Sequence, residues 1–173
     1  MSKLGELKEI LKKLIAIPSV TGNEHDIAIY IADYLRQCGV DSVELQPVEG
    51  NRLNVVAHLK GEKVGPVVLL TGHMDTVAPG EGWRTDPFKA TERDGRIYGR
   101  GAADMKGGIA AILVAIRNAA AQREQMRGEA IIAFVCDEEA YSKGVDALIR
   151  SGIRADYGIA AEPEWDAVIG AVG

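Results

Sequence analysis

A histidine and a carboxylate two residues apart, His73 and Asp75, close the apolar run of VVLLTGHMDTVAPG at residues 67–80. Other acids stand in similar places. Asp104 follows YGRGAA, Asp137, Glu138 and Glu139 follow EAIIAFVC, and Glu162 follows the run from Tyr157 to Ala161. Each has an ordinary reading. His73 suits a turn, Asp104 suits the cap of a helix that opens at Met105, and DEE suits a solvated helix start favoured by the helix dipole. Glu162 before Pro163 suits a loop. Jointly these readings weaken, because functional groups in open α/β sheets collect beyond the carboxyl ends of the strands. One imidazole and several carboxylates brought to one sheet end repel one another unless a cation sits among them. The N/O donor mixture suits Zn²⁺, with Mn²⁺ or Co²⁺ as alternatives. A carboxylate bridging two ions roughly 3.5–4 Å apart would serve hydrolysis.

The elements that must carry these groups alternate. Leu4, Leu7, Ile10, Leu11, Leu14 and Ile15 recur at helical spacing up to Pro18. A second helix, capped by Thr21 or Asn23, is expected to run to about Cys38 with Ile27, Ile31, Tyr34 and Leu35 inward, and Gly39 closing it. Strands are expected at Ser42–Leu45, Leu53–Leu59 and Val67–Leu70, the last two joined by GEKVG in the manner of a hairpin. Residues 79–103, rich in Gly, Pro, Asp and Arg, predict an ordered functional loop with a short strand at Arg96–Tyr98. A helix from Met105 to about Gln122, a buried strand through EAIIAFVC, a helix from Ser142 to Arg150, a strand at Tyr157–Ala161 and another from Ala167 to Val172 complete the pattern. Strands alternating with helices predict an α/β fold with a mixed, largely parallel sheet.

Composition narrows the function classes. The 173 residues are 47% hydrophobic and 26% charged, enough for a core without disulfide staples. Twenty basic residues against 25 acidic ones give a formal charge of −5, and no basic patch with interleaved aromatics argues for nucleic acid. Cys38 and Cys136 are far apart, and their sparseness suits a reducing cytoplasm. The charged amphipathic N-terminus is unlike a signal peptide, and the longest apolar run, Ile109 to Ile116, is too short to span a membrane. His25 and His58 read as structural.

Five stretches, TGHMDTVAPG, GW with DPF at Trp83 to Phe88, IYGRGAADMKGGIAA, VCDEE and AEPE, resemble the M20 metallopeptidases in order and spacing. That family includes acetylornithine deacetylases, succinyl-diaminopimelate desuccinylases, aminoacylases and carboxypeptidases. The resemblance implies a three-layer sandwich of the zinc-peptidase kind and a di-metal amidohydrolase acting on an N-acyl amino acid or small peptide through a metal-activated water. It implies that His73 and Glu162 bind a first Zn²⁺, that Asp104 bridges to a second and that Glu139 binds the second. Asp75 and Glu138 are then the catalytic pair: Asp75 orients the imidazole and Glu138 is the general base. Extended residues 73–75 would place Asp75 on the same side as His73, where a carboxylate fixes a ligating ring.

Members of the family are longer. A lid and dimerisation domain interrupts their catalytic domain, and a returning segment supplies the second metal's histidine, which neither His25 nor His58 matches. The chain stops at VIGAVG, within an apparent apolar strand. The expectation is therefore an N-terminal portion of a catalytic domain, inactive alone, with four of five metal ligands, from a cytoplasmic homodimer. The competing readings are a non-catalytic metal-binding or regulatory module of the same descent, and a different di-zinc aminopeptidase family.

Overall fold

The computed structural model describes residues 2–163. Helix α1 (Lys3–Ala16) starts where the Ser2 side chain accepts from the Gly5 amide at 3.1 Å, and it turns Ile10, Leu11, Leu14 and Ile15 inward. Helix α2 (His25–Gln37) buries Ile27, Ala28, Ile31, Ala32 and Leu35 and ends at Gly39, whose φ of 75° favours glycine. Neither Thr21 nor Asn23 caps α2, because Glu24 precedes it and makes no side-chain cap. The hydroxyl of Thr21 is engaged elsewhere, as described below.

Five strands form one sheet: β1 (Ser42–Glu49), β2 (Arg52–Lys60), β3 (Lys63–His73), β6 (Arg127–Val135) and β7 (Tyr157–Ala160), in the order β1-β2-β6-β3-β7. A separate antiparallel hairpin, β4 (Thr91–Arg93) and β5 (Arg96–Tyr98), rises from the long loop. The expected β2–β3 hairpin is not formed, because β6 lies between those strands, antiparallel to β2 and parallel to β3. The linking residues spend their hydrogen bonds on β6 instead: Gly61 N–H reaches Gly128 O at 2.8 Å, and Lys63 is in register with Arg127. The physical reason is apolar content. From Ala130 to Val135 every residue of β6 is buried, which requires a central position covered on both faces.

Helices α1, α2 and α3 (Gly107–Ala120) cover one face, packing on Val55, Ala57 and Leu59 of β2 and Ala130, Ile132 and Phe134 of β6. Helix α4 (Lys143–Arg150) covers the other with Leu148 and Val145, against Val56, Ile131, Ala133 and Val135. The result is a three-layer α/β sandwich with a mixed sheet. Its parallel part is β6-β3-β7. The chain leaves β3 through α3 towards β6 and leaves β6 through α4 back across β3 to β7. Right-handed crossovers in opposite directions place their helices on opposite faces, as α3 and α4 lie. The carboxyl ends of the three parallel strands therefore share one edge, at the point where the connections diverge.

Among the described residues no helix is long and apolar enough to cross a membrane. Cys136 is buried just past β6, and burial pushes its thiol up to about 12. The expected strand from Ala167 to Val172 lies outside the described residues.

Candidate metal centre

Strand β3 ends on His73, which is 2% exposed. The 74–76 segment continues from it and is pinned by residues 19–21: Ser19 Oγ donates to Met74 O at 2.8 Å and Thr76 N–H to Ser19 O at 2.9 Å. The ring is oriented through Nδ1, 2.9 Å from the backbone oxygen of Asp75 and 3.6 Å from its carboxylate Oδ1. Both neighbours are acceptors, so Nδ1 carries the hydrogen and Nε2 faces the acids. Asp104 Oδ1 lies 2.9 Å from Nε2, and Glu138 Oε2 and Glu162 Oε2 each lie 3.8 Å from it. Glu139 joins His73 and Asp104 in a set whose donor atoms lie within 4.8 Å of one another.

Asp75 does more than the sequence pattern implies. Its side chain is fully buried and accepts from the amides of Glu138 (3.0 Å) and Glu139 (3.1 Å) and from the hydroxyl of Thr21 (2.9 Å). The carboxylate thus ties the end of β3 to the turn after β6, while the closer partner of the ring is the Asp75 carbonyl. Burial alone would raise the Asp75 carboxyl; its contact with His73 and these three donors hold it below the ordinary carboxylate range.

Asp104 does not cap α3. It sits in an irregular turn, Ala102–Lys106, where Asp104 (φ −114°, ψ 102°) and Met105 depart from helical geometry, so α3 begins at Gly107 rather than Met105. The turn is anchored by Lys106, whose fully buried ammonium donates to Leu14 O and Ile17 O at 2.9 Å each, at the end of α1. Burial pushes Lys106 down to about 8. Glu162 is set by a close backbone approach: a Cβ added to Gly108 would stand 2.2 Å from Ala161 O, so glycine alone fits. DEE is a turn, not a helix start, with Asp137 at φ 67° and Glu138 and Glu139 towards His73. The long 79–103 loop is ordered by Arg100, which donates to Pro79 O at 3.0 Å and stacks on Trp83, and by Arg100 N–H on Pro87 O at 2.7 Å.

The structure thus brings His73, Asp75, Asp104, Glu138, Glu139 and Glu162 together. His25 pairs with the adjacent Asp26, and His58 with Glu129 across β2 and β6, both apart from the cluster. Sequence reasoning missed Thr21, Lys106 and the pair Glu24 and Arg52. For Lys106 and Arg52 the available signal was a charge set close to an apolar run.

The electrostatics fit a cation. Burial and then the Asp104 charge raise the Glu139 carboxyl, and burial with the charges of Asp104, Glu138 and Glu139 raises Glu162. At His73 burial opposes charge, but Asp75, Glu162 and Asp104 outweigh it and push the imidazole up to about 9. One imidazole nitrogen among carboxylate oxygens is a donor set for Zn²⁺, Co²⁺ or Mn²⁺. Without a metal, the proton on Nε2 is the counter-charge.

A pH test follows for the chelator-treated protein. The His73 value is raised from 6.5, so the stabilisation is complete below 6.5 and lost as pH rises towards 9. Between about pH 6.5 and 8 the loss should be about 1.5 kcal/mol. Above 8 the depressed Lys106 works in the opposite direction, since its buried proton is shed there. Saturating Zn²⁺ should reverse the decline, because the metal replaces the proton. Thermal melts across that window check it, and a flat metal-free profile would sink it.

Sheet order, crossovers and donor cluster define an α/β domain with a candidate metal centre at the carboxyl ends of its parallel strands. The sequence model of peptidase family M20/M25/M40 matches residues 69–173, and the chain belongs to that family. The succinyl-diaminopimelate desuccinylase of Bordetella avium (strain 197N) is 38% identical over 162 residues, 90% of this chain and 42% of that protein. That of Nautilia profundicola is 36% identical over 167 residues. Among solved structures, an M20 family metallo-carboxypeptidase, Sso-CP2 from Sulfolobus solfataricus, superposes with a TM-score of 0.79 at 25% identity, covering 90% of this chain and 37% of that one. Human carnosine dipeptidase 1 shares the fold, with a TM-score of 0.81 at 24% identity over 93% of this chain and 39% of that one. The chain spans about two fifths of the length of the curated relatives it matches.

Proposed function

We propose that these residues are the N-terminal portion of the catalytic domain of a metal-dependent amidohydrolase, which in full-length form cleaves an amide bond of an N-acyl amino acid or small peptide. The observation that carries the reading is the convergence of Asp104, Glu138, Glu139 and Glu162 on His73 Nε2. The names of the relatives, a desuccinylase and a carboxypeptidase, agree with that substrate class.

His73, Asp104 and Glu162 would hold a first ion, and Asp104 and Glu139 would offer donors to a second. A bound Zn²⁺, with Co²⁺ or Mn²⁺ as alternatives, supplies a Lewis acid and a nucleophile at neutral pH. The chain's own residues do the rest. His73 is held in one tautomer by the Asp75 carbonyl. Asp75 grips the amides of Glu138 and Glu139, fixing both acids relative to the ring. Glu138, at 3.8 Å from Nε2, has a side chain free to take a proton from the attacking water and return it to the leaving amine. The fifth ligand and the lid that grips substrate are assigned to a part of the protein outside these 173 residues. The portion alone is then inactive, and dimerisation through the lid and a cytoplasmic location belong to the same reading.

Titrating the 173-residue chain with Zn²⁺ by calorimetry tests the core of this reading. The expected result is a saturable site that Co²⁺ also fills. His73→Ala should weaken it by more than the about 10–100-fold typical of outer partners. No saturable binding by the parent chain would overturn the proposal.

A further inference from the structure

Behind the turn that presents Glu138 and Glu139 lies a buried ionic cluster that no step above uses. Arg52, at the start of β2, donates through Nε to Glu24 Oε2 at 2.9 Å and through Nη2 to Glu24 Oε1 at 2.5 Å. The same Nη2 lies 2.8 Å from Asp137 Oδ1. Glu24 is fully buried, Asp137 is 1% exposed and Arg52 is 9% exposed. Removing three charges from water is costly, and an apolar trio of similar volume would hold a fold as well or better. The cluster therefore calls for a reason beyond packing.

Asp137 supplies one. It immediately precedes Glu138 and holds φ at 67°, a conformation that L residues rarely adopt. Its other carboxylate oxygen accepts from the Lys143 amide at 3.1 Å, and its carbonyl from the Ser142 amide at 2.7 Å. The left-handed residue is thereby locked to the start of α4, and Arg52 locks its side chain from below. Asp75 holds the next two amides. The turn is clamped between two buried carboxylates, one tied to His73 and one tied to Arg52.

We propose that Arg52 is a positioning residue for the metal centre: acting through Asp137, it fixes the turn that aims Glu139 at His73 and thereby sets metal affinity. This rests on the metal reading above and adds the device that preorganises its donors.

The test uses the 173-residue chain with Zn²⁺ calorimetry and hydrogen exchange at the Glu138 and Glu139 amides. Arg52→Met should weaken Zn²⁺ binding about 10-fold or more and speed exchange of those two amides relative to the β6 amides. Arg52→Lys should recover part of the affinity, because an ammonium still reaches one carboxylate. Asp137→Asn should also weaken binding. It tolerates the left-handed backbone and still accepts from Lys143, yet it no longer pairs with the guanidinium. Adding Arg52→Met to it should cost little more, since both changes act on one path. Folded Arg52→Met with parental affinity and unchanged exchange would overturn the inference; if that variant does not fold, parental affinity in Asp137→Asn overturns it instead. A parent chain that binds no Zn²⁺ overturns the metal reading itself, whereas a parent that binds while His73→Ala does not leaves that reading standing whatever Arg52 does.

Discussion

Replacing Asp75 by alanine should yield a protein that melts far below the parent and holds Zn²⁺ at least about 10-fold more weakly. The carboxylate is wholly buried, accepts from Thr21, Glu138 and Glu139, and stands beside the His73 ring. Its removal leaves two part-buried hydrogen bonds from the Glu138 and Glu139 amides without an acceptor and the imidazole without its neighbouring anion. Breaking a buried charge pair costs about 3–5 kcal/mol. At roughly 2–4 °C per kcal/mol for a chain of this size, the midpoint should fall by roughly 10 °C or more. Asp75→Asn should fall between, because an amide oxygen can accept from one of the two N–H groups while its NH₂ opposes the other. The pH dependence has a definite sign. The Asp75 carboxyl lies below its ordinary value, so its contribution is present above about pH 4 and is lost as pH falls through the folded value. The alanine variant should therefore lose stability less steeply in acid than the parent. Scanning calorimetry and metal titration read both effects, and a midpoint within about 2 °C of the parent would sink the assignment.

How much of this was legible in the sequence depends on the range of the interaction. The helices α1, α2 and α4 show in local periodicity, because their buried faces repeat at fixed spacing, and the strands β2, β3 and β6 show as short apolar runs. The six acid and imidazole positions were legible too, since parallel strands that end on polar groups must deliver them to one edge. Strand order was not legible. GEKVG has the composition of a hairpin loop, and only the continuous burial of Ala130 to Val135, which local pattern reports weakly, places β6 between β2 and β3. The start of α3 was misplaced by two residues because Asp104 looks like a cap, whereas its side chain is turned to His73 instead. Thr21, likewise a good cap by type, is taken by Asp75 across 54 residues. In both cases a polar side chain that local rules assign to a helix end is used by the site. The Arg52 cluster stayed hidden for a related reason: a charge in RLNVVAHL reads as a strand end until Glu24 and Asp137, distant in sequence, are placed around it.

The adjacent acids Glu138 and Glu139 should separate cleanly in the full-length protein. Glu138→Gln should lower turnover by about 10²–10⁴-fold, the range for removal of a general acid–base group, while leaving the metal in place. Glu139→Gln should release metal first, with activity lost as a consequence and partly restored by added Zn²⁺. The basis is that Glu139 belongs to the close donor set with His73 and Asp104, while Glu138 lies outside that set and has 44% of its side chain exposed. Proton transfer needs a carboxylate that reaches both water and leaving group, which a ligand fixed on an ion cannot do. Metal content of each purified variant, measured beside its turnover, distinguishes the roles. If Glu138→Gln emptied the site while Glu139→Gln kept it filled, the two assignments would have to be exchanged. If the full-length parent held metal but showed no turnover, a metal-binding module without catalysis would become the better reading. A loss confined to Glu138, with full metal occupancy, is what a hydrolase requires and what a binding module cannot produce.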